Sequence, residues 1–139
     1  RKALQNAGMT TSDIDEVIFS LKAISPDIHR AYTGRDNRRI LDNFTELHRR
    51  GMKMQAETVL IPGLIEAEEV EKVASFVAEV DPAITLRIDA YFPVPGCPWR
   101  AATREEVEAA AGLAEKYLKK VAILTLDMKR TGDKPVRIV

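Results

Sequence analysis

The sequence predicts an α/β fold made of consecutive βα units with parallel strands, equivalent to half of a TIM-type barrel. Three segments rich in Val, Ile, Leu and Phe are typical of buried strands, and each is followed by apolar residues at helical spacing. Strands that alternate with helices pair in parallel through right-handed crossovers. Each strand also ends in a polar or turn-forming phrase, where α/β folds place their ligands. We therefore predict a single domain over residues 1–139.

The first predicted elements are two helices and the strand between them. Arg1–Ala7 has a helical pattern that ends at Gly8, a common helix-terminating residue. A strand is predicted over Asp15–Lys22 because its Val, Ile and Phe residues favour strands. Ser25 followed by Pro26 favours the start of a short helix, which runs to residue 33.

A longer helix and a second strand come next. Residues 36–50 place four apolar side chains at helical spacing, and Gly51 ends this helix. Met52–Ile61 is rich in apolar and β-branched residues, which indicates a strand. Pro62 and Gly63 end the strand in a turn.

The second half of the chain continues the alternation. Ala67–Val80 has valines on one helical face and is followed by Asp81-Pro82, which closes the helix. Ile84–Phe92 is the third predicted strand. Thr103 and Glu106 have the spacing of a capping box, which begins a last helix. We predict that this helix extends over residues 103–120. Short strands are predicted over 121–126 and 136–139.

Polar and apolar residues alternate along the three strands. The polar set comprises Ser20, Lys22, Gln55, Glu57, Arg87 and Asp89, and the residues between them are apolar. A parallel strand with a purely structural role is apolar on both faces, which these strands are not. We therefore predict that the apolar set faces the helices. The polar set then faces a barrel lumen or cleft, where charge is paired or used.

Two interpretations remain open for the charged residues of this polar set. Lys22, at the end of the first strand, either binds a ligand carboxylate or phosphate, or forms an internal ion pair with Glu57 or Asp89. A constellation of Lys22, Glu57 and Asp89 that performs acid–base work in an unrelated barrel enzyme is a further hypothesis. Glu57 and Arg87 on adjacent strands are better explained as a structural pair.

Two apolar phrases at strand ends also allow a structural and a functional interpretation. Val59 and Ile61, before the Pro62-Gly63 turn, either complete a core strand or line a flat apolar ligand. Tyr91 and Phe92 precede a proline-rich loop, where they either stack on a base or pack beneath the loop.

Composition argues against several classes of function. Twenty-one basic and 21 acidic residues cancel, so no net charge attracts nucleic acid or an anionic membrane. No apolar run approaches the roughly 20 residues that span a bilayer. Cys97 is the single cysteine, which favours a reducing compartment and cannot hold an iron–sulfur cluster alone. His29 and His48 have no second histidine or cysteine at ligand spacing, so we predict no metal site.

Three phrases resemble the second half of the radical S-adenosylmethionine barrel, in the branch of the pyruvate formate-lyase activating enzyme. SLKAISPDIHRAYTG is similar to the segment that begins with a DLK motif, and His29, Thr33 and Gly34 match its later positions. AETVLIPG resembles the next strand with its V-x-P-G turn. DAYFPVPGCPW is similar to the last strand and loop, where the family often has L-P-Y-H and a downstream Trp. The resemblance covers residues 13–121.

The resemblance implies roles for the residues at the strand ends. Lys22 would bind the carboxylate or ribose of S-adenosylmethionine, and Val59 would lie against its adenine. Ser20 stands where the family has a ribose-binding Asp, which weakens that contact. Phe92 replaces the family's His, so its hydrogen bond is lost while stacking is retained. The complete predicted cofactor-binding set is Ser20, Lys22, Glu57, Val59, Asp89, Tyr91 and Phe92, with no catalytic residue and no metal ligand assigned.

Our leading hypothesis is that the chain is the C-terminal portion of such an enzyme. The parent would use a 4Fe-4S cluster to cleave S-adenosylmethionine reductively to a 5′-deoxyadenosyl radical, which acts on a protein or small-molecule substrate. The CxxxCxxC cluster loop belongs to the N-terminal half of the barrel, which this chain lacks. We therefore expect the chain alone to be inactive, to bind S-adenosylmethionine weakly or not at all, and to self-associate through open sheet edges. The alternative is a non-catalytic α/β module that binds a ligand or partner.

Overall fold

The computed structural model describes residues 16–125 of the protein. In chain order the elements are β1 (Val17–Ser20), α1 (Pro26–Thr33), α2 (Arg38–Arg49), β2 (Met54–Leu60), α3 (Ala67–Val80), β3 (Thr85–Ala90), α4 (Arg104–Ala114) and β4 (Val121–Leu124). The predicted alternation of strands and helices is confirmed over this range. The helix predicted over Arg1–Ala7 and the strand predicted over 136–139 lie outside the described residues.

The four strands form one parallel sheet with the order β1-β2-β3-β4. Each connection therefore steps to the next strand in the same direction along the sheet. Right-handed crossovers that all step in one direction place their helices on the same face, as in the wall of a βα barrel. The predicted fold class, consecutive βα units with parallel strands, is confirmed. Within the described residues β1 and β4 are the two edges of the sheet.

Burial along β2 and β3 separates the two faces of the sheet. Every second residue from Met54 to Leu60 and from Leu86 to Ala90 is buried, and the residues between them are half-buried. We call the helix-packed side the covered face and the other side the open face. The open face carries Ser20, Gln55, Glu57, Val59, Thr85, Arg87 and Asp89. The predicted division of polar and apolar residues between two faces is thereby confirmed.

Three phenylalanines join the elements on the covered face. Phe44 of α2 is fully buried and meets Phe19 of β1 edge-on, with ring centroids 5.3 Å apart. The Phe76 ring of α3 lies 5.7 Å from the Phe44 ring on its other side. Complete burial of one phenylalanine side chain contributes about 1.5–3 kcal/mol, and edge-on ring pairs add to it. Phe44 therefore anchors α2 to both the sheet and α3.

Several element boundaries differ from the prediction by a few residues, and α4 differs most. The predicted capping box is present, since the Glu106 amide donates to Thr103 Oγ1 and the Thr103 amide donates to Glu106 Oε1. The helix ends at Ala114 instead of Lys120, because bonds to the carbonyl three residues back interrupt the helical pattern beyond it. The Tyr117 amide donates to the Ala114 carbonyl over 3.0 Å. This turn redirects the chain and leaves Leu118 buried in the core before β4.

Candidate functional site

The carboxyl-terminal ends of β1, β2 and β3 lie side by side, because these strands are parallel and adjacent. In the strand register Ser20 lies opposite Glu57, and Val59 lies opposite Asp89. Residues opposite one another in a sheet point to the same face, so these four share the open face. Lys22, Tyr91 and Phe92 follow directly after β1 and β3. The predicted site residues therefore all lie at or just beyond the carboxyl-terminal ends of the strands of one sheet.

The charged residues of the open face form an ion-pair network around Arg87. Its Nη2 donates to Glu57 Oε2 over 2.6 Å, and its Nε donates to Asp89 Oδ1 over 2.6 Å. The three side chains are 17%, 28% and 24% exposed for Arg87, Glu57 and Asp89. Burial lowers the pKa of Arg87, but the hydrogen bonds and negative charges of Asp89 and Glu57 outweigh it and raise the pKa. The structural pairing of Glu57 with Arg87 is confirmed.

Lys22 lies outside this network. Its side chain is half-buried, and its Nζ lies 5.8 Å from the centre of the Tyr32 ring, a cation–π contact. Among residues 16–125 it forms no ion pair, because Arg87 engages both carboxylates that the sequence offered to Lys22. The interpretation of Lys22 as an internal partner of Glu57 or Asp89 is therefore wrong. Its ammonium group keeps hydrogen-bonding capacity for a ligand.

Two polar atoms of the open face are buried without a hydrogen-bond partner. They are the Ser20 hydroxyl oxygen at the end of β1 and the side-chain carbonyl oxygen of Gln55 on β2. Leaving a buried polar group unsatisfied costs about 1–3 kcal/mol, so such groups need an explanation. Both residues belong to the open face. The Ser20 hydroxyl is suited to a ligand hydroxyl group that reaches this strand end.

The turn after β2 completes the hydrophobic core, which is the structural one of the two interpretations of this phrase. The amides of Ile61 and Ile65 each donate to the other residue's carbonyl over 2.9 Å, and both side chains are fully buried. Gly63 between them has a φ of 90°, which favours glycine. Ile61 is therefore a core residue, and its interpretation as a ligand-lining side chain is wrong. Val59, half-buried on the open face, is the side chain of this phrase that a ligand can reach.

The two aromatic residues after β3 have different environments. Tyr91 is 5% exposed and packs edge-on against Trp99, with ring centroids 6.3 Å apart. Trp99 in turn lies 6.0 Å from the Tyr32 ring, so the three rings form a cluster under the proline-rich loop. Burial raises the pKa of the Tyr91 phenol, as does the neighbouring Cys97 thiol. Phe92 is 60% exposed and is the ring that a ligand reaches without rearrangement.

Glu69 is a buried carboxylate that the sequence interpretation missed. It lies in the first turn of α3, is 4% exposed, and accepts hydrogen bonds from the loop after β1. The amides of Ile24 and Ser25 donate to its Oε2 over 2.7 and 2.6 Å, and the Ser25 hydroxyl donates to Oε1 over 2.7 Å. Ser25 is the N-cap residue of α1 as predicted, but its hydroxyl bonds Glu69 and does not cap the helix. Glu69 therefore fixes the backbone just beyond Lys22. The sequence feature that could have identified Glu69 is its position on the inward, valine-rich face of a helix, where an acidic residue is unusual.

Two further buried side chains hold the α1–α2 connection. The Nδ2 group of Asn37 donates to the carbonyls of Ala23 and Ile24 over 3.0 and 2.7 Å. Nδ1 of His29 lies 2.8 Å from the Arg35 carbonyl. A carbonyl oxygen only accepts hydrogen bonds, so Nδ1 carries the proton. His29, for which the sequence predicted no metal role, thus orders the turn between the two helices.

The described residues do not provide ligands for an iron–sulfur cluster. Among residues 16–125 no group of three or more His, Cys, Asp or Glu side chains is arranged to hold a metal ion. The sequence contains a single cysteine, Cys97, whereas a cluster normally takes three or four cysteine ligands. In the same part of the chain no helix has the length and apolarity needed to cross a membrane.

The chain is similar in sequence to a curated protein and in fold to solved structures. No protein-family model matches the chain. The chain is 28% identical over 123 residues to a Methanocaldococcus jannaschii protein named as a glycyl-radical enzyme activating enzyme. The match covers 85% of this chain and 47% of that protein, so the chain spans about half the length of its relative.

One similar solved structure is a crystal structure of a domain of pyruvate-formate lyase-activating enzyme from Bacteroides vulgatus. Its TM-score is 0.72 at 16% sequence identity, and the match covers 88% of this chain and 73% of that chain. At this identity the match supports the fold. The resemblance predicted from the strand-end phrases is therefore confirmed: in sequence and in fold, the chain is similar to activating enzymes of glycyl-radical enzymes.

Proposed function

We propose that the chain is the C-terminal portion of a radical S-adenosylmethionine enzyme of the pyruvate formate-lyase activating type. Within it, the ends of β1, β2 and β3 would hold the nucleoside and carboxylate of S-adenosylmethionine. The observation that most supports this role is the placement of Lys22, Val59 and Phe92 at the ends of three adjacent parallel strands. Ligands of α/β folds bind at the carboxyl-terminal ends of the strands.

The side chains at this edge have properties that fit S-adenosylmethionine. Lys22 has no carboxylate partner among the described residues, so it can bind the ligand carboxylate through a charge-assisted hydrogen bond. The buried Ser20 hydroxyl has no partner and can bond a ribose hydroxyl. Val59 and the exposed Phe92 ring offer apolar surface to adenine.

Glu57, Asp89 and Tyr91 take a supporting position in this proposal. Arg87 holds the two carboxylates, and Tyr91 is buried against Trp99. The Arg87 network would therefore set the charge of the surface beneath the ligand. A direct contact of Glu57 or Asp89 with the cofactor would require exchange of a hydrogen bond to Arg87.

The 4Fe-4S cluster is assigned to a different segment of the parent protein. In the proposed enzyme it would supply the electron that cleaves S-adenosylmethionine. The described residues do not fit such a cluster, so we assign no step of this cleavage to them. The proposed partners are the N-terminal half with its CxxxCxxC loop and a radical substrate, either a protein glycine or a small molecule. We propose a cytoplasmic location and no role in nucleic-acid binding.

The experiment that tests this proposal begins with the coding sequence upstream of Arg1. We expect it to encode a CxxxCxxC loop after a strand, followed by a glycine-rich strand. The longer protein, reconstituted anaerobically with iron and sulfide, should then produce 5′-deoxyadenosine from S-adenosylmethionine and a reductant, whereas the 139-residue chain should not. Translation that starts at or near Arg1 would favour the alternative, a non-catalytic α/β module that binds a ligand or partner.

A further inference from the structure

A cavity lies near the carboxyl-terminal ends of the strands, between the end of β1 and the connection of α1 to α2. Its volume is about 490 Å³, and Lys22, His29, Arg35, Asp36 and Arg39 are among the residues that line it. Cavities of roughly 300–1,000 Å³ are typical of small-molecule sites. The cavity is therefore large enough for a metabolite-sized ligand.

The charges that line the cavity are predominantly positive. Lys22, Arg35 and Arg39 contribute three cations, and Asp36 contributes one carboxylate, which leaves an excess of two positive charges. None of the three cations forms an ion pair with another residue in the 16–125 range. Asp36 instead accepts the Arg38 amide on its Oδ1 over 3.1 Å. An excess of positive side chains around a cavity favours an anionic ligand.

The backbone that carries these cations is held in place by buried hydrogen bonds. Nδ1 of His29, which is 6% exposed, donates to the Arg35 carbonyl, and the Thr33 hydroxyl donates to the His29 carbonyl over 2.8 Å. Gly34 turns the chain with a φ of 81°, and Asn37 bonds two carbonyls of the loop after β1. A site built on an ordered backbone loses less conformational entropy when a ligand binds.

We infer that this cavity binds a small molecule bearing a carboxylate or phosphate group, through Arg35 and Arg39. Guanidinium groups suit both anions because they can donate two parallel hydrogen bonds. The structure places both arginines with Lys22 around one concave surface. Ser20 and Lys22 of the proposed S-adenosylmethionine site also line this cavity, so the inference extends that site. The contacts of Arg35 and Arg39 with an anion are tested without S-adenosylmethionine, so their failure is distinguishable from a failure of the proposed function.

The test uses the 139-residue chain, with inorganic phosphate and acetate as probes at low ionic strength. Binding is followed by the change in backbone amide NMR signals. We expect saturable shifts confined to the α1–α2 connection, and Arg35→Gln combined with Arg39→Gln should weaken binding by about tenfold or more. Arg38→Gln is the matched control, because Arg38 is exposed, lies in the same helical turn and does not line the cavity. It should change affinity by about twofold or less.

The two probes also distinguish the two ligand classes. Binding of phosphate alone would support a phosphate ester, and binding of acetate as well would support a carboxylate. The inference would be overturned by the absence of saturable binding to either anion in the folded wild-type chain. Equal weakening by Arg38→Gln and by the Arg35 and Arg39 substitutions would also overturn it, because it would indicate nonspecific attraction. Circular dichroism checks that each variant is folded, and single Arg→Lys variants at positions 35 and 39 provide a milder test of the bidentate contact.

Discussion

The covered and open faces of the sheet are built from alternate residues of the same strands, but their side chains are stabilised by different interactions. The covered face buries Phe44 and the apolar residues of β2 and β3 against helices. The open face leaves charged side chains about a quarter exposed and pairs them with one another around Arg87. The covered face therefore owes its stability to packing, whereas the open face owes its order to a network of charges.

The same contrast separates the residues within the candidate site. Glu57 and Asp89 are bonded to Arg87 in the middle of the open face. Lys22 and the Ser20 hydroxyl, at the edge strand, have no such partner among the described residues. Unsatisfied polar groups at a strand end are the ones that a ligand can satisfy at least cost. This contrast supports our proposal that the end of β1 is the ligand-binding part of the site.

The largest expected effect comes from the core of the covered face. Phe44→Ala removes a fully buried ring that contacts both Phe19 and Phe76. We expect the free energy of unfolding to fall by about 3–5 kcal/mol, as for other large-to-small changes in cores. Urea denaturation measures this change. The matched control is Phe92→Ala, at a 60% exposed ring, where the change should stay within about 0.5 kcal/mol. Similar losses for the two variants would break the distinction between the faces.

The second prediction concerns Glu69, the buried carboxylate in the first turn of α3. Glu69→Gln replaces an acceptor of three hydrogen bonds by an amide whose NH₂ group cannot accept. We expect a loss of about 1–3 kcal/mol in the free energy of unfolding. Amide hydrogen exchange at Ile24 and Ser25 should also accelerate, because their bonds to Glu69 weaken. Glu68→Gln, at an exposed neighbour in the same helical turn, should leave both quantities unchanged. Unaltered exchange in Glu69→Gln would contradict this role.

The third prediction tests the charge network of the open face. Arg87→Met leaves Glu57 and Asp89 without the cation that both of them bond. Because these carboxylates are partly exposed, we expect a moderate loss of about 1–2 kcal/mol in the free energy of unfolding. Arg49→Met removes an exposed arginine from a surface pair with Glu46 and should cost less. An Arg87→Met variant as stable as wild type would show that the open face is not ordered by this network.

The smallest expected effect is a pH dependence at the capping box of α4. Hydrogen bonds from Arg100, and then from the Thr103 amide, hold the pKa of Glu106 at about 2, below its ordinary value of 4.5. A carboxylate whose pKa is lowered in the folded state stabilises the protein above its unfolded pKa. This contribution is therefore present above about pH 4.5 and is lost as the pH falls towards 2. NMR titration of the Glu106 carboxyl carbon measures the folded pKa. A value near 4.5 would contradict the hydrogen bonds from Arg100 and the Thr103 amide in solution.

The sequence supported the prediction of features that depend on local pattern. Helix α3 has its predicted boundaries, and the alternation of β2 and β3 separates the two faces as expected, because side chains alternate with a period of two along a strand. The position of Lys22 at a strand end also follows from local pattern. These features require knowledge only of neighbours in the chain.

Several features that depend on long-range contacts were not predicted. The pairing of Glu57 with Arg87 was expected from their adjacent strands, but the second bond of Arg87, to Asp89, was not. Glu69 bonds residues 44 and 45 positions away, a distance that no local pattern specifies. The convergence of Arg35 and Arg39 on a cavity likewise depends on how α1 and α2 meet the end of β1.

The most direct test of the account is the affinity of the proposed longer protein for S-adenosylmethionine, measured by calorimetry in wild type, Lys22→Met and Glu57→Gln. If the β1 end is the ligand-binding part of the edge, Lys22→Met should weaken binding by about tenfold or more, since it removes a charge-assisted hydrogen bond. Glu57→Gln should have an effect of about threefold or less, because Arg87 already engages that carboxylate. A larger loss of affinity in Glu57→Gln than in Lys22→Met would contradict the account.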